Sequence, residues 1–127
     1  DYFPTDKWGQ AQVMQWLFFE QYSHEPYVAV AKFILTLLPE DSPRRAELPD
    51  LHEKGTAALQ VMEAHLKDRT FLVGEQYSIA DIALFPSFAL SRDFNIDHDA
   101  FPALRRWARA VRQLDGFITM PGIPEYH

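Results

Sequence analysis

The chain has no cysteine in its 127 residues. That removes disulfides, thiolate-ligated zinc and a cysteine nucleophile together. Basic residues are the minority: 12 Lys and Arg against 18 Asp and Glu leave a formal net charge of −6. Nucleic acid and anionic membrane are therefore poor main partners. No apolar run is long enough for a membrane span, and no segment has the layout of a signal peptide. A Gly-rich phosphate loop is missing, as are a G-x-S-x-G elbow and any serine flanked by a readable base. Period-two alternation bounded by turns is also missing, so strands are not expected. Neither an internal repeat nor a composition shift divides the chain. What remains is 47 % apolar, 14 % aromatic and 24 % charged, which is a globular composition with enough length for one core. These features are read as one all-α domain over residues 1–127.

Metal binding fails on spacing. His24-Glu25 and His52-Glu53 each open an HExxH pattern, but Val28 and Thr56 stand where the second His belongs. Asp97-His98-Asp99 groups ligand-type side chains, yet three consecutive loop residues rarely converge on one ion. That run reads as a solvated loop with a helix-capping Asp. No catalytic residue, metal or bound cofactor is assigned to the chain.

Four helical stretches are expected. The first runs from about Asp6 into the Leu37 region, bent at Pro26, which lacks an N–H and clashes with the preceding turn. Prolines 39, 43 and 49 break the chain next. The second starts near Arg44 or Leu51 and ends at Lys67. Leu51, Gly55, Ala58, Leu59, Met62 and Leu66 share its inner face, and Glu63 and Lys67 form an i,i+4 pair on the other. The third runs from Ser78 to about Arg92, with a kink at Pro86. The fourth has Pro102 in its first turn, where proline is tolerated. Leu104, Trp107, Ala108, Val111 and Leu114 line its inner side, and Arg105, Arg106, Arg109 and Arg112 form its wet face.

The third helix has the clearest start. Tyr77-Ser78-Ile79-Ala80-Asp81-Ile82 places a serine hydroxyl and a carboxylate three residues apart, as in a capping box, with Tyr77 and Ile82 as a hydrophobic staple. A helix start this apolar must satisfy its own N–H groups, because water cannot reach them. Asp81 could alternatively be a buried general base, but capping explains it without chemistry. Trp16-Leu17-Phe18-Phe19 is the second informative run. Four successive helical residues sweep about 300°, so they cannot all face one core. At least one of Trp16, Phe18, Phe19 and Tyr22 is expected to be exposed, available to another domain, a second subunit or an apolar ligand. Glu20 to Pro26 adds hydroxyl, imidazole and carboxylate groups on this apolar helix, and such groups need partners.

These stretches carry a family resemblance. "FLVGEQYSIADIALFP" resembles the segment of glutathione transferases that enters their central C-terminal helix. "QVMQWLFFEQYSHEPYVAVAKF", "LQVMEAHLKDRTFLVG" and "FPALRRWARAVRQLDGF" resemble further helices of that domain in bacterial members, in the same order. The resemblance implies the C-terminal all-helical bundle of such an enzyme, without its thioredoxin-like N-terminal domain. With Asp1 rather than Met at its start, the chain reads as a fragment or a processed product. The parent would be a cytoplasmic homodimer that joins glutathione, its co-substrate, to small hydrophobic electrophiles, and this half alone would be inactive. Phe18, Tyr22, Glu25 and Tyr126 are the implied substrate-binding residues. Glu20 is the implied glutathione or dimer contact, while Ser78 and Asp81 have a folding role. The bland alternative packs Tyr22 in the core and leaves the glutamates solvated. A non-catalytic interaction module is the alternative for the whole, since related helical domains sit on a translation elongation factor subunit and on some aminoacyl-tRNA synthetases. A stand-alone binder of apolar ligands is a third reading.

Overall fold

The structure is a computed structural model that describes residues 2–126, and no strand occurs among them. Five α-helices follow one another: α1 (Lys7–Phe19), α2 (Glu25–Leu37), α3 (Leu48–Leu66), α4 (Ile79–Ala89) and α5 (Pro102–Arg112). Short 3-10 turns lie at Pro43–Glu47, Leu90–Phe94 and His98–Ala100. The fold is the all-α helical bundle expected from the sequence.

The long first helix is present but divided. Asp6 starts α1, its carboxylate accepting from the Gly9 N–H at 2.8 Å. Residues Glu20–His24 then form one turn of π-helix, and α2 resumes with Pro26 in its first turn. Pro26 has no N–H to return to the Tyr22 carbonyl. The Glu25 N–H instead reaches the Glu20 carbonyl, five residues back, so the turn absorbs an extra residue. The bend predicted from Pro26 is thus a change of helix type just before it.

Helix α2 packs along α3. Gly55 lies at this close approach: a Cβ there would be 3.1 Å from Cγ2 of Val28, tight enough that Val28 would have to shift by a few tenths of an ångström. The six α3 positions assigned to its inner face are the six that are buried. Helix α4 is central, against α1, α2 and α5, with Ala80, Leu84, Phe88 and Ala89 fully buried. It does not end at Pro86, which sits inside it. The coil tightens to a 3-10 turn at Leu90 and stops at Asn95 in the left-handed region.

Two expectations about α3 and α5 are corrected. Glu63 is not engaged with Lys67. Its carboxylate accepts from the Ala103 and Leu104 N–H groups at 2.9 Å each, capping α5 from forty residues away. Phe101 occupies the N-cap position of α5 and supplies no side-chain cap, which explains why a neighbour does so. Arg106 is not simply a wet-face charge either. Its guanidinium donates to the carbonyls of Leu66, Lys67 and Arg69 at the end of α3.

Candidate functional site

Around the first helix the aromatic run divides as the angular argument requires. Trp16 is buried against the core and Leu17 and Phe19 are half-buried, but Phe18 is 58 % and Tyr22 71 % exposed. Met14, four residues before Phe18, is also exposed. Met14, Phe18 and Tyr22 therefore make an apolar ridge on the outside of α1 and the π-turn, at i, i+4 spacing. Glu25 is only half-buried, and the extra residue of the π-turn takes it out of the simple i, i+7 register with Phe18.

The inner side of the same turn is polar and fully engaged. His24 is completely buried, and its Nδ1 lies 2.5 Å from one carboxylate oxygen of Glu20. The other oxygen accepts from the Ser87 hydroxyl of α4 at 3.0 Å. Glu20 thus ties the π-turn to the central helix, with both oxygens used inside the domain. The Nε2 of His24 is buried without a partner. In the sequence His24 stands as a failed zinc motif and as the imidazole of a polar stretch that needs partners, and the partners are now seen. The i, i+4 spacing of Glu20 and His24 was the signal for the pair, whereas Ser87 has none.

Asp81 lies at the centre of the bundle. The Ser78 hydroxyl accepts from the Ala80 N–H at 3.2 Å and the reciprocal capping box is formed. One Asp81 oxygen accepts from the Ser78 N–H at 2.8 Å. The other accepts from the Leu72 N–H at 3.0 Å and from the Trp107 indole N–H at 2.8 Å. One carboxylate therefore joins the α4 start, the loop before it and α5. Burial pushes its pKa up, and the hydrogen bonds from Leu72, Trp107 and Ser78 oppose that rise.

Tyr126 is buried, its ring stacked near Phe88 and His98. His98, expected in a solvated loop, is 1 % exposed, and only the capping part of that expectation holds: Asp97 accepts from the Asp99 N–H at 2.9 Å. The cause is the flat stack of His98 on Phe88, with ring centres 4.2 Å apart. Among the described residues, no three His, Asp or Glu side chains converge as a metal site, and no helix is long and apolar enough to cross a membrane.

An apolar cleft of about 320 Å³ opens between α4 and the segment after α5. Ile82 and Phe85 form one side, and Phe117, Ile118, Met120 and Ile123 the other. Ile82, Ile118 and Met120 are exposed. Nothing local in the sequence marks this cleft, because its walls come from segments about thirty residues apart.

Most of the buried polar side chains described above face one another, while the ridge and the cleft are apolar and exposed. The model of the family described as glutathione S-transferase, C-terminal domain, matches residues 27–115. A glutathione S-transferase from Xanthobacter autotrophicus superposes with a TM-score of 0.90 at 40 % identity, over 95 % of this chain and 59 % of its own. One from Pseudomonas fluorescens gives 0.88 at 43 % identity, over 94 % of this chain and 60 % of its own. Elongation factor 1-gamma of Drosophila melanogaster is 31 % identical over 102 residues, covering 77 % of this chain and 22 % of that protein. The chain thus spans about three fifths of the two transferases and about a fifth of the elongation factor subunit. By family model and by fold, this chain belongs to the C-terminal domain family of the glutathione S-transferases.

Proposed function

We propose that the chain is the helical half of a cytoplasmic glutathione transferase, and that it supplies the apolar wall against which a small electrophile is held beside glutathione. The observation that carries this reading is the ridge of Met14, Phe18 and Tyr22. Large side chains left this exposed are unfavourable in isolation, and covering each would contribute roughly 1.5–3 kcal/mol. Phe18 supplies apolar surface, Tyr22 a ring with a hydroxyl, and Glu25 a carboxylate for a cationic group of glutathione. Tyr126 contributes from within, by holding the segment that forms one wall of the apolar cleft.

A thioredoxin-like N-terminal domain would activate the glutathione thiol, since no group here is placed to do so. We assign the cleft beside Ile82 to that domain, and the remainder of the first-helix ridge to a second copy of the protein. Glu20 would then act on glutathione or the dimer through the π-turn that it braces. A non-catalytic interaction module is the second reading, and the match to an elongation factor subunit favours it.

The test is glutathione conjugation of an aryl halide by the whole protein and by this chain alone. The whole protein should be active and the chain silent. Phe18→Ala and Tyr22→Ala in the whole protein should raise KM for the aryl halide several-fold. Turnover by the chain alone, or a whole protein that binds no glutathione, would exclude the assignment, and the latter result would favour the interaction module.

A further inference from the structure

The π-turn leaves its own backbone short of support. Pro26 brings no N–H to the Tyr22 carbonyl, and the turn closes instead through the Glu25 N–H on the Glu20 carbonyl. Both flanks are fixed, since Val13 and Trp16 of α1 and Val28 and Ala31 of α2 are buried. The extra residue is therefore carried within the turn. Tyr22 stands at the middle of it and faces solvent.

The hold on this turn comes from side chains on its inner side. Glu20 and His24 bracket Tyr22, two residues before it and two after. A carboxylate only accepts, so the His24 Nδ1–H at 2.5 Å and the Ser87 O–H at 3.0 Å both donate to Glu20. The first bond spans the turn, and the second fastens it to α4. Packing alone does not explain the imidazole. It is fully buried, and its Nε2 has no partner among the described residues, a loss that an apolar side chain would avoid. What it adds is a donor that fixes the Glu20 carboxylate in one geometry.

We infer that Ser87, acting through Glu20 and His24, is a positioning residue for Tyr22: it sets the direction in which that ring leaves the π-turn, and with it the fit of the electrophile. The inference rests on the reading of Tyr22 as part of the apolar wall. Helix α4 is the central one, with Leu84, Phe88 and Ala89 fully buried. The bond from Ser87 therefore refers an exposed ring to the core of the bundle. Met14 and Phe18 need no such brace, because they stand on the regular turns of α1. Ser87 should accordingly matter to the ligand through Tyr22 and not through Phe18.

The test is a double-mutant cycle in the whole protein, read in the conjugation of glutathione to an aryl halide. Ser87→Ala removes the bond to α4, and alanine favours a helix, so the variant should keep its helical circular dichroism. It should raise KM for the aryl halide several-fold and leave kcat and KM for glutathione unchanged. In Tyr22→Ala the same substitution should add nothing, and in Phe18→Ala its full effect should remain. Hydrogen exchange should quicken at residues 22–25 and stay as it was in α1. If Tyr22→Ala raises KM but Ser87→Ala does not, or if the two effects simply add, the positioning role is overturned while the reading of Tyr22 stands. Unchanged exchange at residues 22–25 overturns the role as well. A loss spread over kcat and both KM values marks Ser87 as merely structural and does the same. If Tyr22→Ala itself leaves KM unchanged, the reading of Tyr22 fails and the role of Ser87 falls with it.

Discussion

Asp81→Ala tests whether the centre of the bundle is organised by one carboxylate. The substitution leaves three donors without their acceptor: the N–H groups of Ser78 and Leu72 and the indole N–H of Trp107. All three residues are at most 3 % exposed, so water does not readily replace the carboxylate. An unsatisfied buried donor costs about 1–3 kcal/mol, which gives about 3–9 kcal/mol before relaxation. Removing the carboxylate also relieves the desolvation that raises its pKa, so the expected net loss is about 3–5 kcal/mol. A lone helix cap contributes only about 1 kcal/mol. Against a total stability of about 5–15 kcal/mol, the variant should be close to unfolding. Asp81→Asn separates the bonds. Its oxygen can still serve Leu72 and Trp107, but its NH2 faces the Ser78 N–H, so it should lose about 1–3 kcal/mol. Urea denaturation at pH 7, followed by circular dichroism, measures both. A double-mutant cycle with Trp107→Phe should give a coupling above about 0.5 kcal/mol. A loss of 1 kcal/mol or less for Asp81→Ala would refute the hub. So would unchanged stability with lost turnover in the whole protein, which would make Asp81 catalytic.

Three further outcomes are expected. Glu63→Ala should destabilise the fold by about 1–2 kcal/mol, read from the same denaturation midpoint, whereas Lys67→Ala should change it by less than about 0.5 kcal/mol. His98 is held neutral with a pKa near 4, below its ordinary 6.5. Its contribution is therefore complete above about pH 6.5 and is lost as pH falls toward 4, by roughly 3 kcal/mol. His98→Gln should flatten that part of the stability–pH curve. Met14→Asp should leave stability within about 0.5 kcal/mol, because the side chain is exposed, while sedimentation of the whole protein should show weaker self-association.

Much of the fold is legible in the sequence because it rests on local patterns. The α3 stripe follows from 3.6-residue spacing, and the Ser78–Asp81 box from two residues three apart. The exposure of Phe18 follows from the angular sweep of four consecutive large side chains. What is not legible is long-range. Pro26 signals a bend, but whether the chain kinks or adds a residue in a π-turn depends on Glu20, His24 and Ser87 meeting across two helices. Glu63 looks like half of an i,i+4 pair until α5 presents two free N–H groups beside it. The same limit hid the site-level features. His98 sits between two aspartates in a polar loop, and only the Phe88 ring, ten residues earlier, draws it inside. The cleft has no signature in any single segment.

The reciprocal contact between α3 and α5 bears on how the chain comes apart. An 11-residue helix is too short to persist alone in water. Here α5 takes its first-turn acceptor from Glu63, and returns Arg106 to the last carbonyls of α3. Neither helix end is complete until the other has docked, across a separation of about forty residues. The end of α3 and the start of α5 should therefore open together in native-state hydrogen exchange, as one cooperative unit rather than as two fraying ends.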